Sequence, residues 1–123
     1  MSMNVENLVF DDTSRLNAKL IDLSLAAQKV IANNIANAET PNYTRLQLDF
    51  RDQLAAAIDS GDISAATGLQ PRIEEDTATP VGNDGNNVVL PQEMNDMMQN
   101  SVFYRLVTRA FKTRMNILKA AIK

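Results

Sequence analysis

Two stretches, one at each end of the chain, repeat apolar residues in alternating steps of three and four, and the residues between them cannot continue either helix. In the first, Leu16, Leu20, Leu23, Ala27, Val30, Asn34 and Asn37 follow spacings of 4, 3, 4, 3, 4 and 3. That alternation is the seam of a coiled-coil-like helix. Asp11-Asp12-Thr13-Ser14 supplies helix-capping oxygens and favourable negative charge at its start. Thr40 precedes Pro41 and is disfavoured from the α region, so the helix should end near Asn37. Ile21, Leu25, Ile31 and Ile35 widen its apolar face beyond a narrow seam. The second stretch opens at Pro91, which suits a first helical turn, and runs from Gln92 to Ile122 without internal Gly or Pro. Its expected seam is Met94, Met97, Ser101, Tyr104, Thr108, Phe111, Met115, Leu118 and Ile122.

The middle reads differently. Leu46 to Phe50 alternate apolar and polar and suit an extended stretch; Phe50, Leu54, Ala57 and Ile58 suit a short helix ending at Ser60-Gly61. From Asp59 to Asn87, Gly, Pro, Asp, Asn, Ser and Thr dominate, with Ile63, Leu69, Ile73 and Val81 as the large apolar residues. Such composition offers little burial against its ordering entropy, so a long irregular loop is expected, at most a hairpin turned at Asp84-Gly85. The fold class that follows is mainly α. Residues 1–45 and 88–123 form a discontinuous helical core, and 46–87 hold an extended segment, a short helix and a flexible loop.

Composition narrows the function. The chain of 123 residues has neither Cys nor His, which removes disulfides, thiolate nucleophiles, imidazole metal ligands and every His-assisted scheme. A carboxylate-only enzyme is the residual catalytic reading. No apolar run could span a bilayer, and Met1 to Leu8 lack the basic and long apolar regions of a cleaved signal. Charge is segregated. Residues 46–100 carry ten acids and two bases, whereas 101–123 carry six bases and no acid. Arg105, Arg109, Lys112, Lys119 and Lys123 each follow a seam residue by one position and share a stripe roughly 100° around the helix. A solvated face, an acidic segment of a neighbouring copy, or anionic lipid could answer that stripe. Nucleic acid is disfavoured by the acidic pI of 4.8 and the lack of interleaved aromatics.

Other clusters read as solvent-facing. Glu74-Glu75-Asp76 lies in a polar loop, where adjacent acids are solvated far more often than catalytic. The Asn83-Asp84-Gly85-Asn86-Asn87 turn lacks the ligand alternation and terminal Glu of a calcium loop. No catalytic, cofactor or metal residue is expected. Two helices that pair only with each other cover one face each. The side stripe and the Met positions therefore predict surfaces that meet partners as well as an intramolecular pairing.

The most specific segment is Asn33-Asn34-Ile35-Ala36-Asn37-Ala38-Glu39-Thr40-Pro41-Asn42-Tyr43. Three amides close the helix, Thr40-Pro41 forces a turn, and Tyr43 offers a planar anchor with a polar tip. This stretch resembles the signature of the flagellar axial proteins, the rod, hook and hook-filament junction subunits, with Asn42 where Gly is usual. The short length, Asp84-Gly85-Asn86-Asn87-Val88 before Glu93-Met94, and the ending with Asn100, Tyr104, Phe111-Lys112 and Ile117 to Ile122 resemble the basal-body rod branch. The sister rod protein FlgC is the alternative within the family, and a peripheral adaptor docking its basic helix on a partner or membrane is the alternative outside it. The resemblance implies a rod subunit of the bacterial flagellum, lying in the periplasmic space and exported by the type III apparatus without a cleaved signal. It would stack with other copies and other rod proteins, and meet the FliE adaptor and the membrane ring and export gate. The implied assembly residues are Leu16, Leu20, Leu23, Ala27, Val30, Asn34, Asn37, Thr40, Pro41, Tyr43, Met94, Met97, Tyr104, Arg105, Arg109, Phe111, Met115, Leu118 and Ile122. Asn34 and Asn37 would set register as polar seam residues, at a cost in stability.

Overall fold

The computed structural model describes residues 11–122. The readings of Met1 to Leu8 and of Lys123 fall outside that range. The order is α1 (Asp12–Ala36), β1 (Leu46–Asp49), α2 (Arg51–Asp59), α3 (Ile63–Thr67), β2 (Arg72–Glu75) and α4 (Leu90–Ile122).

The two long helices begin and end where their capping chemistry allows. The Asp11 carboxylate accepts the Ser14 N–H at 2.9 Å, and Asp12 adds negative charge to the first turn of α1. The Asn37 N–H closes α1 on the Asn33 carbonyl at 3.1 Å, just before the Thr40-Pro41 stop. Helix α4 starts two residues earlier than expected, with Pro91 in its first turn and the Glu93 N–H on the Val89 carbonyl at 3.0 Å. Its 33 residues make it about 50 Å long.

The helices run antiparallel. Arg114 reaches Ser14 at 3.2 Å and Asp11 beside it. Further along, the Asn100 amide donates to the Ser24 carbonyl at 2.9 Å and to Gln28 Oε1 at 2.7 Å. Beyond that, Asn34 lies against Glu93 at 3.4 Å. On α1 the expected seam is the packed one: Leu23, Val30 and Asn34 are buried, with Ser14 and Ser24 beside them. On α4 the line is rotated. Glu93 and Val107 are its buried residues, whereas Met94 is 55% exposed and Ile122 is also exposed. Met97, Phe111 and Leu118 are half-buried on both the expected and the observed lines. The apolar pattern alone favours Met94, but the ion pair described below draws its neighbour Glu93 inward, a contact that periodicity does not encode.

The middle segment is more ordered than its composition suggests. Strands β1 and β2 pair antiparallel, with Leu46 opposite Glu75 and Leu48 opposite Ile73. The expected hairpin at Asp84-Gly85 is therefore corrected: the strands lie at 46–49 and 72–75, one on either side of α2 and α3 in the chain. Gly85 does turn the chain with φ 78°, its N–H on the Gly82 carbonyl at 3.0 Å, but the turn joins no strands. Asp62 caps α3 through the Ala65 N–H at 3.0 Å. Ala57 and Ala66 are buried, because small side chains let α2 and α3 approach their neighbours closely. Side-chain hydrogen bonds replace the apolar burial that this segment lacks.

Candidate assembly site

The amide-rich end of α1 folds back on the chain that follows it. Asn34 is wholly buried, and its side chain serves Leu46 as a neighbouring strand would. Its Oδ1 accepts the Leu46 N–H at 2.9 Å and its Nδ2 donates to the Leu46 carbonyl at 2.8 Å. The same Oδ1 accepts the Tyr43 hydroxyl at 2.9 Å, and the Tyr43 oxygen accepts the Asn33 amide at 2.8 Å. Burial, and then the nearby Glu93 charge, raise the Tyr43 hydroxyl above the ordinary tyrosine range. Asn37 lies at the helix end, where its amide returns to the Asn33 carbonyl at 2.9 Å and its Oδ1 accepts Thr40 Oγ1 at 3.1 Å. Asn34 and Asn37 thus fasten a turn within the chain; neither is an unpaired polar group in the helix seam.

The turn after α1 docks on the 82–87 loop. Asn42 sits in the left-handed region with φ 60°, which Asn tolerates, and donates its N–H to the Asp84 carbonyl at 2.9 Å. Gly85 has φ 78°, and a Cβ there would also stand 2.4 Å from the Asn42 Oδ1, so a side chain at that position would be strained. The buried Asn86 amide bonds the Asn37 and Thr40 carbonyls, each at 2.8 Å, satisfying acceptors freed at the end of α1. Asn87 accepts the Arg45 N–H at 2.6 Å and donates to the Asp76 carbonyl at 2.7 Å.

Arg45 lies at the centre. Its guanidinium meets Asp76 at 3.0 Å, Asp96 at 3.7 Å and the wholly buried Glu93. Burial opposes its charge, but the bonds and charges of Glu93 and Asp76 outweigh that and hold its pKa above the usual arginine value. Asp76 is buried, which corrects its reading as a solvated loop acid. The Thr79 hydroxyl at 2.6 Å, aided by the Ala78 and Thr79 amides and Arg45, holds its carboxyl below the usual range. Among the described residues no buried side-chain nitrogen or oxygen lacks a partner. These residues form a latch that binds α1, β1, the 76–87 loop and α4 into one unit.

Of the residues expected to assemble, the structure buries Leu23, Val30 and Asn34 in the helix pair or its latch, with Met97 and Phe111 half-buried beside them. Leu16, Leu20, Ala27, Met115 and Leu118 are half-buried along it, and Tyr43 supports the latch. Thr40, Pro41, Met94, Tyr104, Arg105, Arg109 and Ile122 are exposed. Sequence reasoning missed Arg45, Asp76 and Glu93 as a cluster, because they are separated by 31 and 48 residues. The signal available was an acid, Glu93, one position from an apolar seam.

The chain matches the family model described as flagella basal body rod protein over residues 13–44, which spans α1 and the amide turn. A flagellar basal body rod protein FlgB from Borrelia hermsii is 30% identical over 118 residues, 81% of this chain and 87% of the relative. The chain belongs to the FlgB family of flagellar basal body rod proteins. An FlgB from Cereibacter sphaeroides is 31% identical over 93% of this chain and 96% of its own, and one from Escherichia coli 28% over 89% and 95%. The FlgB matches extend well past residue 44 and so take in the latch as well as α1. No helix among the described residues is long and apolar enough to cross a membrane.

Proposed function

We propose that this chain is a structural subunit of the bacterial flagellar rod that polymerises through its terminal helices. In this reading α1 and α4, with the flanking residues of 1–45 and 88–123, form a coiled-coil-like core. Its remaining faces meet other copies, other rod proteins, the FliE adaptor and the membrane ring and export gate. The subunit works by shape and adhesion and performs no catalysis, and it reaches the periplasmic rod without a cleaved signal.

The observation that carries the reading is the division of α4, in a chain that matches FlgB relatives over most of its length. One side of the helix packs on α1, while Met94, Met98, Val102 and Leu106 stand exposed in successive steps of four. An i, i+4 ridge of this kind packs into the grooves of another helix. An apolar row of this length on a lone subunit marks a contact surface.

Deleting the gene should abolish swimming, and a plasmid copy should restore it with the chain present in isolated basal bodies. Changing both Met98→Glu and Val102→Glu should leave the latch intact yet prevent incorporation. Normal swimming by the deletion strain would overturn the reading.

A further inference from the structure

The bases of α4 and the acids of α2 are set at the same pitch on surfaces that cannot meet within one chain. Arg105, Lys112 and Lys119 are seven residues apart, hence about 10.5 Å apart along one helix face, with Arg109 between the first two. All four are exposed. On α2, Asp52 and Asp59 are also seven apart and exposed, with exposed Asp62 just beyond the helix end. None of these seven residues makes an ion pair among the described residues, whose pairs involve Arg45, Arg72 and Arg114. In its own chain α2 borders a cleft of about 430 Å³ lined by Phe50, Leu54 and Ile58 on one side and Gln99 and Phe103 on the other. Gln99 and Phe103 lie roughly 150° around α4 from the bases, so a chain's own α2 is on the wrong side to reach them.

We propose that the acidic face of α2 in one copy docks on the basic stripe of α4 in another, a heterologous contact between two copies of this chain. It rests on the assembly reading and says which surfaces meet. The contact is head-to-tail, because a copy that gives its stripe to one neighbour keeps its α2 free for the next. Repetition then yields a ring or an open helical array rather than a closed pair. The pairs lie at the surface, so they select partner and register more than they supply affinity, and salt weakens them. An anionic membrane would attract the stripe but repel the acids carried by 46–87 of the same chain. A second copy offers matching charge at matching spacing.

The test is zero-length carbodiimide coupling, which joins an amine to a carboxylate only where they touch, on the full chain at high concentration. Equal parts of nitrogen-15-labelled and unlabelled chain distinguish links between copies. Mixed-label peptides joining Lys112 or Lys119 to Asp52, Asp59 or Asp62 are expected, and should be lost at high salt. Asp52→Lys with Asp59→Lys should abolish them, as should Arg105→Glu with Lys112→Glu. Combining all four changes should restore self-association. Association that proceeds unchanged in both reversed chains overturns this interface and leaves the assembly reading standing. Chains that never associate, alone or with rod extracts, overturn both. Sedimentation with vesicles containing anionic lipid, dependent on Arg105 and Lys112 and without links between copies, assigns the stripe to membrane instead.

Discussion

The two ends of the helix pair share a sequence pattern and differ in how they are held. At one end, α1 from Val30 to Ala36 with its cap Asn37, and α4 from Leu90 to Asn100, are tied to the middle segment through Asn34, Arg45, Asp76, Asn86, Asn87 and Glu93. At the other, Leu16, Leu20, Phe111 and Met115 are only half-buried, and Arg114 with Asp11 and Ser14 supplies the polar contacts. A heptad pattern therefore says that a face is sticky without saying who covers it. At the latched end the chain ties its helices to its own middle segment, although Met94 and Met98 still stand exposed there; at the open end, where Ile117 and Ile122 are exposed, no such tie exists among the described residues.

The largest effect should come from the centre of the latch. Arg45→Met leaves Glu93 and Asp76 buried without their cation and should destabilise the chain by about 3–5 kcal/mol. Urea unfolding of the dilute chain measures it; a change below 1 kcal/mol would mean that the cluster adds nothing beyond apolar packing. Leu23→Ala, at a site only 2% exposed between the two ends, should cost about 3 kcal/mol in the same assay. Asn34→Leu should cost about 2 kcal/mol, since it strands the Leu46 N–H and carbonyl and the Tyr43 hydroxyl. A stabilised Asn34→Leu chain would restore the view of Asn34 as a costly register residue.

At the open end, Arg114→Ala should change stability by less than about 1 kcal/mol, because its ion pair with Asp11 is partly solvated. A loss as large as that at Arg45 would erase the contrast between the ends. The mildest probe is acid. The carboxyls of Asp76 and Asp11 are held below their unfolded range, the first chiefly by Thr79 and the second chiefly by the Ser14 amide. Both therefore contribute stability that is fully present above the unfolded aspartate pKa of about 3.9 and is lost as pH falls through their folded values. Melting temperature should be level near neutrality and fall below about pH 4. Asp76→Asn should flatten that fall more than Asp11→Asn.

Much of the architecture was legible because it is written locally. Asp11, Thr40-Pro41 and Pro91 mark helix limits through backbone chemistry acting over a few residues, and the α1 seam is visible because Leu23, Val30 and Asn34 keep one period. The family signature at Asn33 to Tyr43 is contiguous and could be read for the same reason. The β1–β2 pairing was missed because β2 is short and mostly charged, and its partner lies 23 to 29 residues earlier.

By itself, then, the sequence determined two long amphipathic helices, the amide turn that ends the first, the acidic middle and the basic tail. These depend on capping, periodicity and composition, which act between near neighbours. Tertiary structure alone decided that Glu93 and Val107, rather than Met94 and Thr108, turn inward on α4. It also decided that Asp76 is buried, and that the bases of α4 face away from the acids of their own α2. Those outcomes depend on which distant side chains satisfy one another once solvent is excluded; Arg45, too far along the chain for any period to reach, is the residue that draws Glu93 and Asp76 inward.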